Sequence, residues 1–164
     1  MKNFDYLKLD ASRPVCFLDL CGVVGDIYGV REGGRKFDLN GLIIQSPEYR
    51  GDDLWLPAIA ALRAVLTKYD AQVVIVSSWV PPYLDAASEK IVSLKEYLGL
   101  SNIQGSIYTG GGYQRGDCVR KCVRELKLID WVVVDDSRDN MYTDKRFFFE
   151  QSFRTSSRKI WFWS

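Results

Sequence analysis

The sequence predicts an α/β fold with a mostly parallel central sheet, carried by one domain over residues 1–164. Three observations lead there. Residues 15–20, 73–76 and 131–134 are short, nearly unbroken apolar runs rich in Val, Ile and aromatic side chains, the pattern of strands buried on both faces. Helical patterns separate them. Each run also ends in small polar or acidic residues: Asp19, Cys21 and Gly22 after the first, Ser77 and Ser78 after the second, Asp135 and Asp136 after the third.

The elements follow in order. Residues 54–69 place Leu56, Ile59, Leu62, Val65 and Leu66 at helical steps, with Pro57 early, where a first turn tolerates it. Residues 85–98 repeat the pattern through Ile91, Leu94 and Leu98, and Gly99 follows as a C-cap. Residues 117–126 carry Val119, Val123 and Leu126 ahead of the third run. The connections at 70–72 and 129–130 are short, as αβ loops are. Alternating strands and helices imply right-handed crossovers and a parallel sheet. In such sheets ligands bind beyond the carboxyl ends of the strands, so the three polar ends would gather at one edge.

Two segments resist this pattern. Residues 25–51 are rich in Gly and charge and are expected to form a flap or small hairpin near the site. Residues 105–116 contain the Gly110-Gly111-Gly112 run, which matches neither phosphate-loop pattern. Arg115-Gly116-Asp117 is read as a chance adhesion tripeptide. The aromatic segment 147–164, with Lys159-Ile160-Trp161-Phe162-Trp163, is expected to add an edge strand or an oligomer contact, the strand being favoured. Trp55, Trp79 and Trp131 read as packing rather than base-stacking platforms.

Composition narrows the chemistry. The chain has 164 residues, 47% of them apolar, enough for a core without staples. Its 22 basic and 21 acidic residues leave a net charge of +1, which gives no global attraction to nucleic acid or anionic lipid. There is no histidine, so Ser-His-Asp and Cys-His catalysis and His-bearing zinc sites are excluded. Cys16, Cys21, Cys118 and Cys122 form no CxxC pair and read as thiols of a reducing compartment. No apolar run approaches the ~18 residues of a membrane span, and no signal peptide is evident. The expected setting is the cytoplasm, without a membrane partner.

A carboxylate ending the first strand, hydroxyls ending the second and paired carboxylates ending the third would crowd several acids together. That is costly unless a cation or hydrogen bonds compensate. With oxygen ligands only, Mg²⁺ is the natural cation. A metal, a hydroxyl and a basic side chain around a carboxylate make a phosphate site, in which the carboxylate can attack phosphorus.

Four stretches then resemble, in order, the motifs of the haloacid dehalogenase (HAD) phosphatases. Val15-Cys16-Phe17-Leu18-Asp19-Leu20-Cys21-Gly22-Val23-Val24 is similar to hhhhDxDG[TV][LV]. Val73-Val74-Ile75-Val76-Ser77-Ser78-Trp79 resembles a strand ending in Ser or Thr, and Arg115-Gly116-Asp117-Cys118-Val119 a basic residue opening a helix. Trp131-Val132-Val133-Val134-Asp135-Asp136 resembles hhhhDD. The match spans residues 15–140. The Ser-Ser-Trp and Val-Asp-Asp signatures also resemble the small HAD branch of bacterial and phage proteins linked to nucleic-acid repair.

The resemblance implies a Rossmann-like three-layer sandwich with a minimal cap or none. It implies Asp19 as nucleophile and metal ligand, with further ligands from the Cys21 carbonyl, Asp135 and Asp136. Ser77 would bind the phosphoryl group, with Ser78 as fallback. Arg115 would neutralise it, with Lys121 as the alternative cation. Asp139 or Asn140 would sit just outside. The cofactor is Mg²⁺, and the partner is a phosphorylated substrate such as a nucleotide or nucleic-acid end. Oligomeric state is not legible.

One departure divides the functional reading. Cys21 stands where the family's phosphatases carry a second aspartate as acid/base. A thiol, with an ordinary pKa of about 8.5, replaces it poorly, and losing a general acid/base costs ~10²–10⁴-fold. The first reading is a slow or specialised phosphohydrolase. The second is a pseudo-phosphatase that binds a phosphorylated ligand or a protein. A receiver-type phospho-acceptor domain fits less well, because the key Asp sits on the first strand with Gly-Val-Val behind it.

Overall fold

The computed structural model describes residues 3–20, 23–26, 34–37, 52–107 and 115–135. The fold is α/β: a four-stranded parallel sheet with three helices. A 3-10 turn, Phe4–Leu7, precedes β1 (Val15–Leu18). After β1 come three short strands, β2 (Gly25–Asp26), β3 (Gly34–Phe37) and β4 (Asp52–Trp55). The main pattern then resumes with α1 (Leu56–Lys68), β5 (Gln72–Ile75), α2 (Glu89–Leu98), β6 (Ile103–Ser106), α3 (Arg115–Glu125) and β7 (Trp131–Val134).

The strand order in the main sheet is β6-β5-β1-β7, with every neighbouring pair parallel. Leu18 is level with Ile75 on one side and Val134 on the other. From β1 the chain winds outward through β5 to β6, and α3 then returns it to the opposite side of β1. The winding therefore reverses between β1 and β7, which is the topological switch point where α/β sheets bind ligands.

Strand periodicity divides the core. Cys16, Leu18, Val73 and Ile75 pack with Ile59 and Leu66 of α1 and Ile91, Leu94 and Leu98 of α2. The alternate residues Val15, Phe17, Val74 and Val76 pack with Phe4, Leu7, Val119 and Cys122. Every residue of β1 and β5 is buried, which explains why their sequences do not alternate. β7 is an outer strand among the described residues, and its Val132 is exposed.

Several boundaries differ from the sequence expectations. Leu54 and Trp55 belong to β4, because β4 pairs with both β2 and β3 in a three-stranded antiparallel sheet ordered β2-β4-β3. Of the expected flap, 25–51, residues 25–26 and 34–37 are described, and its 41–45 run lies outside the described residues. The second helix starts at Glu89 rather than residue 85. Asp85 instead bridges Gly105, and Ser88 caps the helix by accepting the Ile91 N–H at 3.4 Å. Gly99 ends α2 with φ of 61°, and a Cβ there would lie 2.3 Å from Nη2 of Arg63. That same nitrogen donates to the Leu98 carbonyl at 2.9 Å, so the cap seats both a left-handed turn and an arginine.

β6 was not expected. Ile103-Gln104-Gly105-Ser106 is short and carries a glycine, and it is a strand because it pairs with β5. α3 begins at Arg115, two residues earlier than expected, so the Arg-Gly-Asp tripeptide forms a helical turn with Arg115 and Gly116 buried. No helix among the described residues is long and apolar enough to cross a membrane. The 110–112 glycine run and the 147–164 segment lie outside the described residues.

Candidate active site at the carboxyl edge of the sheet

The site is built from Asp19 and Asp135, the first residues beyond β1 and β7, from Ser77, the second beyond β5, and from the first residue of α3. Asp19 extends the β1–β7 ladder by one bond, its N–H donating to the Val134 carbonyl at 2.9 Å. Its side chain therefore emerges at the switch point, and the residue is 2% exposed. Oδ1 accepts the Leu20 N–H at 2.9 Å, which fixes the rotation of the carboxylate. Oδ2 accepts from Nη1 of Arg115 at 2.7 Å. The same Nη1 donates to Oδ2 of Asp135, whose side chain is also buried. One cationic nitrogen thus joins two carboxylates on neighbouring strands.

Ser77, the second residue beyond β5, is buried, and its hydroxyl acts to lower the pKa of the Asp19 carboxyl. Ser77 Oγ also accepts the Trp79 N–H at 3.4 Å, and the Ser77 carbonyl accepts the Val80 N–H at 3.3 Å. The chain turns sharply there, which brings Trp79 and Val80, both buried, over the end of β5. Ser78 is exposed.

The electrostatics follow from burial. Loss of water pushes the Asp19 carboxyl up to about 6; Arg115 opposes the rise, Asp135 adds to it, and the bonds from Ser77 and Leu20 oppose it. Burial would lower the Arg115 pKa, but its contacts with Asp19 and Asp135 outweigh that and raise it. The guanidinium therefore stays charged. Its Nε is buried and has no hydrogen-bond partner among the described residues, leaving a donor beside the two carboxylates.

Lys121 lies elsewhere. Its Nζ sits 5.5 Å from the centre of the Phe4 ring and 3.7 Å from Oε1 of Glu125. Asp19, Ser77, Arg115 and Asp135 are thus brought together, and Lys121 is not among them. Cys21, Asp136, Asp139 and Asn140 lie outside the described residues. Cys16 and Cys122 are buried thiols pushed up to about 12 by burial. Sequence reasoning missed the backbone donors Leu20 and Trp79, which carry no side-chain signal.

The donor chemistry suits a hard divalent cation. Asp19 and Asp135 present carboxylate oxygens to a common point, and Arg115 Nη1 already places positive charge there. Among the described residues no third Asp, Glu or Cys joins them. Two carboxylates are enough for Mg²⁺, which keeps several waters and takes substrate phosphate oxygens. No family model, curated protein or solved structure matches the chain.

Proposed function

We propose that this protein is a Mg²⁺-dependent phosphoryl-transfer enzyme of HAD type, a phosphatase acting through an aspartyl-phosphate on Asp19. The reading includes a Rossmann-like three-layer architecture with a minimal cap, and a cytoplasmic setting suited to free, buried thiols. The observation that supports it best is the convergence of buried Asp19 and Asp135 on one nitrogen of Arg115, with buried Ser77 alongside Asp19.

Asp19 and Asp135 would hold the metal, together with the Cys21 carbonyl and Asp136. The metal would supply charge neutralisation for the incoming phosphate. The Leu20 N–H holds Oδ1 of Asp19, so Oδ2 faces the reacting centre. An Asp19 oxygen attacks phosphorus, the bond to the leaving oxygen breaks, and that oxygen departs with its electron pair. Arg115 and Ser77 hold the phosphoryl oxygens as charge moves onto them. Water then attacks the same phosphorus, releasing phosphate and regenerating the Asp19 carboxylate. The thiol of Cys21 is a weak proton donor and acceptor for both steps, so a leaving group that departs as an anion suits this chain best.

One observation favours a binding role instead. Arg115 itself pairs with both carboxylates, which would suit a pseudo-phosphatase that holds a phosphorylated ligand without turnover. Phosphate release from an aryl phosphate with Mg²⁺ separates the two. The native chain should turn over slowly, Cys21→Asp faster, and Asp19→Asn not at all. If neither the native chain nor Cys21→Asp turns over, the binding reading takes its place.

A further inference from the structure

We propose that Ser106, at the end of β6, is a positioning residue that holds the turn after β5 so that the Ser77 hydroxyl meets Asp19. The role rests on the phosphoryl-transfer reading of that site, but the geometry behind it does not.

Ser106 is 1% exposed and level with Ile75 in the β5–β6 register. All its polar groups face the segment beyond Ser77 or the amino-terminal turn. Its Oγ donates to the Pro81 carbonyl at 2.7 Å and accepts the Leu84 N–H at 3.3 Å. Its own N–H donates to the Leu84 carbonyl at 2.9 Å. Its carbonyl accepts the Tyr6 hydroxyl at 2.8 Å. Gly105 beside it has φ of 148°, and a Cβ there would come within 2.2 Å of the Leu84 carbonyl oxygen. That close approach lets residues 81–84 lie against the strand end.

The consequence is mechanical. Ser77–Val80 is a tight turn closed by the Trp79 and Val80 N–H bonds to Ser77. One end of this turn is fixed by β5. The other end leads straight into Pro81, which Ser106 holds. With both ends held, Ser77 is kept alongside Asp19, the Val76 N–H just before it donating to the Leu18 carbonyl at 2.9 Å. Buried polar groups with every partner in place rigidify their surroundings in this way. Tyr6 extends the network, since its ring packs edge-on to Tyr83 at 6.3 Å while its hydroxyl holds the Ser106 carbonyl.

The test compares Ser106→Ala, Tyr6→Phe, Ser77→Ala and the Ser106→Ala/Ser77→Ala double variant. Two quantities are read: affinity for inorganic phosphate with Mg²⁺ by ³¹P NMR, and hydrogen exchange at the Trp79 and Val80 amides. Ser106→Ala should bind phosphate about tenfold more weakly, as expected for losing buried hydrogen bonds. Protection at Trp79 and Val80 should fall. Tyr6→Phe, the milder change, should shift both in the same direction by less. The double variant should bind no more weakly than Ser77→Ala alone, because Ser106 acts through Ser77. A purely structural role would give additive losses. Unchanged protection at Trp79 and Val80 in a folded Ser106→Ala variant would overturn the proposal. If the native chain binds no phosphate, the functional reading falls, and exchange at those two amides still decides whether Ser106 positions the turn.

Discussion

Arg115 donates to Oδ2 of Asp19 at 2.7 Å across ninety-six residues of chain, and both side chains are nine-tenths buried or more. An isolated buried carboxylate would be expensive, and so would an isolated guanidinium. Each compensates the other, and Asp135 shares the same nitrogen. The pair also sets a competition, because the point that Arg115 occupies is where a divalent cation would be held.

Removing that cation should therefore make the fold depend on metal. Arg115→Met leaves Asp19 and Asp135 together without their shared partner. Breaking a buried charge pair from one side typically costs about 3–5 kcal/mol. Thermal unfolding without metal should show a loss of that order, and Mg²⁺ should restore more stability to the variant than to the native protein. Equal Mg²⁺ responses in the two proteins would argue against a shared cation position.

The pH dependence has a definite sign. Asp19 sits near 6 in the folded protein, against an ordinary value of 3.8. A raised carboxyl pKa means that the folded state binds protons more readily than the unfolded chain. Its contribution to stability is complete below about pH 4 and is lost as pH rises through 6, on the order of 3 kcal/mol across that window. Urea unfolding of metal-free protein at pH 4, 6 and 8 should show this decline superimposed on the other titrations. In Asp19→Asn the component should vanish, and in the native chain saturating Mg²⁺ should reduce it. A native profile identical to that of Asp19→Asn would contradict the assigned burial of Asp19.

Gly105 offers a test of the close approach between β6 and residues 81–84. A Cβ at this position meets the Leu84 carbonyl oxygen at 2.2 Å and Cδ2 of Leu7 at 2.8 Å, and the backbone there favours glycine. Gly105→Ala should destabilise the protein by about 2–4 kcal/mol, since backbone strain and overpacking act together. Gly99→Ala meets only the movable end of Arg63 besides its left-handed φ, and should cost less. Chemical denaturation of both variants checks the order.

Much of the fold was legible because burial on both faces leaves a mark on composition. β1, β5 and β7 appear as apolar runs, and Asp19, Ser77 and Asp135 stand at or just beyond their ends. Parallel strands separated by helices must bring such ends to one edge, so the sequence alone determined which strand ends meet there. β6 escaped notice because Gln104 and Gly105 interrupt it, and its identity comes from pairing with β5 rather than from propensity. Periodicity alone set the start of α3 at residue 117, since no apolar repeat marks its first turn, and only the motif resemblance set a helix opening at Arg115.

Between the two candidate cations, Arg115 and Lys121, the sequence left the choice open. Both lie in a basic stretch, and either side chain is long enough to reach a neighbouring strand end. Only the tertiary structure decided it. α3 opens at Arg115 directly over the switch point, and helical geometry then carries Lys121 along the axis to Phe4 and Glu125. The position of a charge relative to a sheet edge depends on where a helix begins and how it packs, and three-dimensional contact alone fixes both.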